Sequence, residues 1–136
     1  MNETRGLWRG KRKETGEWAY GCLVRSSLRA TIFVLDENTN RMSGTEVDPS
    51  TLGECTGLRD KNGKLIFEGD IVEAVGINEK QIAPIAFRKG FFIVDGKYGI
   101  FRIGVGTYKR QQLKIIGNIH DNPELLKQEE RDGNNP

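Results

Sequence analysis

The sequence predicts a mainly β protein with a minor helical part, built from many short strands. Glycine is in excess, with 17 of 136 residues where about 7% is usual, and the glycines stand singly between apolar runs, as they do at turns and bulges. The apolar runs are short and rich in β-branched and aromatic residues. Turn-forming pairs separate several of these runs. Together these features are typical of a small barrel or sandwich.

The first 55 residues predict an N-terminal strand hairpin. Residues 1–16 are polar and basic, with Trp8 as their main apolar residue. Residues 17–24 and 31–35 are apolar runs that suit strands. Residues 36–40, with the letters DENTN, predict the turn, because Asp and Asn bond their own backbone and tolerate left-handed conformations. The hairpin therefore extends over residues 17–48.

In the second half of the chain, turn-forming residues and proline predict where the strands begin, end or lie in a sheet. Asp48-Pro49 predicts a helical start of about one turn. Asn62-Gly63 predicts a tight hairpin turn with positive φ at both residues. Pro84 lacks a backbone N–H, so the strand over residues 82–87 is expected at a sheet edge or a bulge. Asp95-Gly96 predicts another hairpin turn.

The end of the chain predicts a last strand and a short helix. Residues 113–116 form the last apolar run, and Asp121-Asn122-Pro123 begins a helix over residues 123–130. From residue 66 to 119 the pattern gives about five short strands, which suit a small barrel because closure removes exposed edges.

Three segments describe the organisation of the chain. Residues 1–55 form the hairpin segment, residues 56–126 the barrel with its helix, and residues 127–136 a polar tail. A single domain over residues 1–126 is the alternative.

The charge distribution bears on the partners of the protein, and the cysteines bear on its cellular compartment. The formal net charge is only +2, but residues 1–29 are basic and residues 121–136 are acidic, which suits either nucleic-acid binding or packing between subunits. Cys22 and Cys55 have no close spacing and predict thiols of a reducing cytosol. No apolar leader or membrane-length run is visible, so we expect a cytoplasmic protein with no membrane partner.

Four segments resemble the YopX family of phage and prophage proteins. The most specific is residues 56–72, TGLRDKNGKLIFEGDIV. Residues 16–21 (GEWAYG), 47–53 (VDPSTLG) and 115–126 (IIGNIHDNPELL) resemble further family motifs, in the expected order.

The resemblance implies an SH3-like β-barrel in the C-terminal part and assembly into homo-oligomers. It also implies a phage or prophage accessory protein in a bacterial host cell, with no catalytic residues to transfer. From the residues alone, residues 56–72 have a structural explanation. Gly57 and Gly69 suit positions where a side chain would clash, and Asp70 suits a turn cap.

Catalytic and metal-binding patterns are missing from the sequence. His120 is the only histidine, and no nucleophile accompanies it. Cys22, Cys55 and His120 lack the paired spacing of a structural zinc site. We therefore predict a non-enzymatic protein that uses no cofactor, metal or small-molecule substrate.

Nucleic-acid binding is the main alternative function. Basic side chains could neutralise phosphates, and aromatic residues such as Phe91 and Tyr108 could stack on unpaired bases. A solvated basic face, with Trp8 packed on the barrel, explains the same pattern. The candidate residues are Trp8, Arg9, Lys11, Arg12, Lys13, Arg88, Lys89, Lys109 and Arg110.

Overall fold

Strands dominate the computed structural model, which describes residues 6–76, 80–96, 99–102 and 110–127, without the side chains of 99–102 and 110. These strands form two antiparallel sheets among the described residues. The predicted mainly β fold is confirmed. Contacts within the chain divide it into two compact units, Met1–Cys55 and Thr56–Pro136. The predicted division of the chain into domains stays a prediction.

The first unit is an antiparallel sheet with the strand order β4-β3-β2-β1-β5. Alternation of buried and exposed residues along β3 explains why this segment forms a strand, since Ala30 and Ile32 are fully buried while Leu35 is half exposed. The strands are β1 Trp8–Lys11, β2 Trp18–Arg25, β3 Ala30–Asp36, β4 Arg41–Val47 and β5 Gly53–Arg59.

One face of this sheet carries the core of the unit. Its fully or almost fully buried residues are small and β-branched, and Trp8, Leu23 and Leu52 pack against them. Gly10 belongs to the same face, where an added Cβ would lie only 2.9 Å from Cγ2 of Val47. The buried members are Ala19, Ala30, Ile32 and Val47.

The residues at the end of β1 and just after it form hydrogen bonds with the C-terminal end of β4. Two strands nevertheless separate β1 from β4 in the sheet order. Arg12 forms an antiparallel bridge with Val47. The backbone N of Lys13 donates to the carbonyl of Glu46, and the N of Asp48 donates to the carbonyl of Lys11. The sheet therefore bends back on itself at this end.

The second unit contains the end of β5, the neighbouring β6 (Leu65–Phe67) and a five-stranded sheet with the order β10-β9-β8-β7-β11. Among the described residues β10 and β11 are the ends of this order, so the described pairings leave the sheet open. An SH3-like barrel stays a prediction. The strands are β7 Asp70–Val75, β8 Lys80–Arg88, β9 Phe91–Gly96, β10 Gly99–Arg102 and β11 Leu113–Asn118.

Aliphatic side chains from β6, β7, β8, β9 and β11 form the core of the second unit. Ile115 packs against this cluster from β11. The cluster members are Ile66, Val72, Ala74, Ala83, Ile85, Val94 and Leu113.

The first unit is larger than the predicted hairpin. Residues 18–47 do form hairpins, and the predicted turn is present, with the N of Asn38 donating to Asp36 Oδ1 at 2.9 Å. However, β1 lies in the segment that the sequence predicted as merely polar and basic. Within β1 itself Trp8 is the only large apolar residue, so the strand character of β1 comes from pairing with β2 and β5.

The predicted helical start at Asp48-Pro49 is confirmed as a single 3₁₀ turn, Pro49–Thr51, with Asp48 accepting from Ser50 N. The predicted C-terminal helix is present at residues 124–127. Its predicted continuation to residue 130, and the tail beyond 127, lie outside the described residues.

Three details of the second half differ from the prediction. At Asn62-Gly63 only Gly63 has a positive φ, of 84°, because Asp60 organises this turn. Pro84 lies on the interior strand β8, where it pairs with β7, while the pairs with β9 begin one residue later at Ile85. Asp95 and Gly96 belong to strand β9 and not to a turn, and residues 97–98, which follow them, lie outside the described residues.

Candidate functional site

Most residues of the predicted basic cluster near the N-terminus contact other residues of the first unit. Arg9 is only 6% exposed, and its Cζ lies 4.6 Å from the centroid of the Trp18 ring. The Nζ of Lys11 lies 5.5 Å from the same centroid. Strand pairing places these residues together, since Arg9 lies opposite Tyr20 and Lys11 opposite Trp18. Cation–π contacts thus hold both cations on β1.

The other members of the cluster are also tied to the sheet. Trp8 packs against the core of the first unit, and Arg12 is half-buried at its bridge with Val47. Lys13 is exposed, with its Nζ 2.8 Å from Glu46 Oε2. The hydrogen bond from Lys13 lowers the pKa of Glu46. Nucleic-acid binding by these residues stays a prediction.

Arg88 and Lys89 lie at the tip of the β8–β9 hairpin. Arg88 pairs with Phe91 across the strands, and its Nη2 is 2.7 Å from Asp95 Oδ2. Lys89 and Gly90 form a two-residue turn with φ of 52° and 85°. Phe91 is 45% exposed. Lys109, Tyr108 and the side chain of Arg110 lie outside the described residues.

The face of the first sheet opposite its core is apolar and exposed, and we call it the apolar face. Register places Cys22 beside Phe33, and Leu35 beside Met42. Val24, Leu35 and Met42 are each about half exposed, at 59%, 49% and 57%. The sequence analysis did not predict this face. In an antiparallel sheet with one buried face, the other face is normally polar. Its members are Tyr20, Val24, Phe33, Leu35 and Met42.

Asp60 organises the motif over residues 56–72 from a fully buried position. Its Oδ1 accepts the backbone N–H groups of Asn62 and Lys64, each at 2.9 Å. Its Oδ2 accepts the N–H of Ile115 on β11 at 3.0 Å. One carboxylate therefore joins a local turn to a strand more than fifty residues away.

Burial of Asp60 tends to raise its pKa, because a low-dielectric environment disfavours the charged form. The N–H donors of Ile115, Lys64 and Asn62, together with the Lys64 charge, outweigh this effect and lower the pKa. The carboxylate thus stays charged and acts as a structural acceptor.

Asp70 in the same motif, and two Asn residues in the family-like segment over residues 115–126, also stabilise the fold. Asp70 is buried and accepts the N–H of Phe67 at 2.7 Å, which confirms its predicted role as a turn cap. Asn118 Oδ1 accepts the N–H groups of His120 and Asp121. Asn122 Oδ1 accepts from Asn118 N at 3.2 Å.

The residues considered for metal binding form no cluster of ligands in the part of the chain that the structure describes. Cys22 is exposed and Cys55 is buried, and neither forms a disulfide. The described residues contain no group of three or more metal-ligating side chains. Nor does any described helix have the length and apolar character needed to cross a bilayer.

Comparison with known proteins identifies one family, and the chain is similar to solved structures. Residues 7–127 match the profile of the family described as YopX protein. The chain is similar to the crystal structure of protein yopX from Bacillus subtilis, with 23% identity, a TM-score of 0.57, and 93% of this chain and 99% of that chain covered. It is also similar to protein EF1440 from Enterococcus faecalis, with 22% identity, a TM-score of 0.52, and coverage of 88% and 96%. No curated protein sequence matches it.

Proposed function

The chain belongs to the YopX family, and from this premise we propose that it is a non-enzymatic phage or prophage accessory protein that acts by self-assembly and protein contacts in the bacterial cytoplasm. The apolar face is the observation that carries this proposal. Val24, Leu35 and Met42 expose about half of their surface on one side of one sheet. Monomeric proteins rarely expose a contiguous apolar patch of more than a few hundred Å².

The energetics of burial support an association through this face. Covering a half-exposed Leu, Val or Met removes apolar surface from water and contributes roughly 1 kcal/mol for each side chain. Phe33 adds a large ring, which lies over Gly44 in the centre of the face. Several such side chains are enough for weak to moderate association, because binding must also offset the loss of translational and rotational freedom.

The experiment is analytical ultracentrifugation of the purified protein from low to high micromolar concentration. We expect concentration-dependent association. A double substitution, Leu35→Glu and Met42→Glu, places charges on the apolar face and shifts the protein to monomer, because an unpaired charge resists burial in an apolar interface. A wild-type protein that stays monomeric at high micromolar concentration contradicts self-assembly.

Leu28→Glu is the matched control for this experiment. Leu28 is 85% exposed but lies in the connection between β2 and β3 and not on a strand of the apolar face. The control introduces the same charged side chain into the same unit, so we expect it to associate like the wild type. If Leu28→Glu dissociates the assembly as well, the apolar face is not the specific contact.

Nucleic-acid binding is a second candidate function, favoured by the tip of the β8–β9 hairpin. There the half-exposed Phe91 lies opposite Arg88 and two residues after Lys89 in the chain. An exposed aromatic ring beside cations suits an unpaired base and its phosphate. Asp95 already forms an ion pair with Arg88, which reduces the positive charge available there.

A further inference from the structure

The first sheet ends in a strand whose outer edge is only partly covered. β4 is terminal in the order of the sheet, and its pairs with β3 run without interruption from Asp36–Arg41 to Ala30–Val47. Residues 41–44 are all exposed. An exposed strand edge without bulge or proline is a template for pairing with another strand.

Hydrogen bonds at the covered end of β4 show which backbone groups face outwards. The N of Lys13 donates to the carbonyl of Glu46 at 3.1 Å, so the backbone groups of Glu46 point away from β3. Backbone groups alternate in direction along an antiparallel strand. The N–H and C=O groups of Met42 and Gly44 therefore also point outwards, at the open part of the edge.

We infer that a second copy of this chain pairs with β4 antiparallel along this edge, with Ser43 opposite Ser43 of the other copy. This inference rests on the proposed self-assembly and assigns one of its contacts. In this register Met42 lies opposite Gly44 of the other copy, as a hydrogen-bonded pair that exchanges two bonds. The two-fold axis repeats that pair, so the interface is self-complementary.

Side-chain size and charge fit this register. Gly44 has no side chain, and the ring of Phe33 in the same copy already lies over it. Met42 of one copy thus meets the Phe33 ring of the other, a contact that suits a thioether and an aromatic ring. Arg41 lies opposite Thr45, so like charges do not face each other. The pairing therefore covers the Met42 end of each apolar face and leaves the rest of the two faces side by side.

The interface is small. It involves about five residues of strand from each copy and the adjoining part of the apolar face, and contacts below about 1,200 Å² in total are weak. We therefore expect association at micromolar concentration or above, which covalent trapping detects better than isolation of a stable dimer.

Disulfide trapping at the two-fold axis tests the register. In a Cys22→Ser background, Ser43→Cys brings two thiols face to face in a non-hydrogen-bonded pair, where Cα atoms are about 4.5 Å apart, within the range of a disulfide. Oxidised glutathione is the oxidant. We expect covalent dimer at protein concentrations where ultracentrifugation shows association, and none under reducing conditions.

Arg41→Cys in the same background is the matched control, since it is exposed on the same strand. The predicted register separates its two copies by four residues along the strand, about 13 Å, which is too far for a disulfide. Equal dimer from both variants, or association of the wild type without trapping of Ser43→Cys, overturns the edge pairing but leaves self-assembly intact. A wild type that never associates overturns self-assembly, and the edge pairing with it.

Discussion

At the scale of single residues, the carboxylate of Asp60 is the contact whose removal we expect to destabilise the second unit most clearly. Asp60→Ala leaves the N–H groups of Asn62, Lys64 and Ile115 without this acceptor in a buried site. We expect a loss of roughly 3 kcal/mol in the free energy of unfolding, measured by urea denaturation. Asn62→Ala is the control, because it keeps the backbone donor, and we expect a change within about 1 kcal/mol.

The pH dependence of stability provides a second prediction for Asp60. Hydrogen bonds hold its pKa below the ordinary value despite burial. The charged carboxylate therefore stabilises the fold fully above the pKa of an unfolded Asp, about 3.9, and this contribution is lost as the pH falls through the lower pKa of the folded state. Asp60→Asn removes that loss. We expect a flatter fall in the urea midpoint below about pH 4, and a slope equal to that of the wild type contradicts the assignment.

At the scale of elements, the β8–β9 hairpin holds a residue poorly suited to its conformation. Lys89 has a φ of 52° and Gly90 a φ of 85°, as in the type I′ turn, which favours Asn followed by Gly. Lys89→Asn relieves an unfavourable backbone conformation, and we expect about 0.5–1 kcal/mol of stabilisation by urea denaturation.

Lys61→Asn is the control for this prediction, since Lys61 also lies in an exposed turn but does not have a positive φ. It should give no comparable gain. Equal gains at both positions would trace the stabilisation to loss of a lysine charge, not to the turn.

At the scale of the whole molecule, the distribution of charge decides how nucleic acid could bind. The net charge is only +2, so binding must come from local clusters. We predict that replacing Lys11, Arg12 and Lys13 with Ala weakens binding of a labelled single-stranded oligonucleotide. The slope of log affinity against log salt should fall by about 0.7 for each phosphate that the variant no longer neutralises. Fluorescence anisotropy measures both quantities.

Arg9 stays unchanged in that variant because it is buried against Trp18, and its removal would confound binding with folding. A parallel variant, Arg88→Ala with Lys89→Ala, tests the tip of the β8–β9 hairpin. Binding that neither variant alters, or no binding by the wild type at low salt, removes nucleic acid as a partner of these residues.

The mainly β class, several of the turns and the family could be predicted from the sequence. These features depend on residues close together in the chain. Asp48 caps the 3₁₀ turn that Pro49 begins. Asp36 accepts a hydrogen bond from the backbone N of Asn38 within the turn that residues 36–40 predict. A turn depends on the φ preferences and side-chain acceptors of about four residues, so local sequence is enough to predict it.

The partners of each strand and the surface that stays exposed depend instead on the tertiary structure. Trp8–Lys11 becomes a strand because β2 and β5 supply its hydrogen bonds, and Arg9 is buried because pairing brings Trp18 against it. Asp60 reaches Ile115 across fifty-five positions. The apolar face likewise exists only because register aligns Leu35 with Met42. Such pairings join residues far apart in the chain, and their free energy depends on the folded neighbours, which local preferences do not encode.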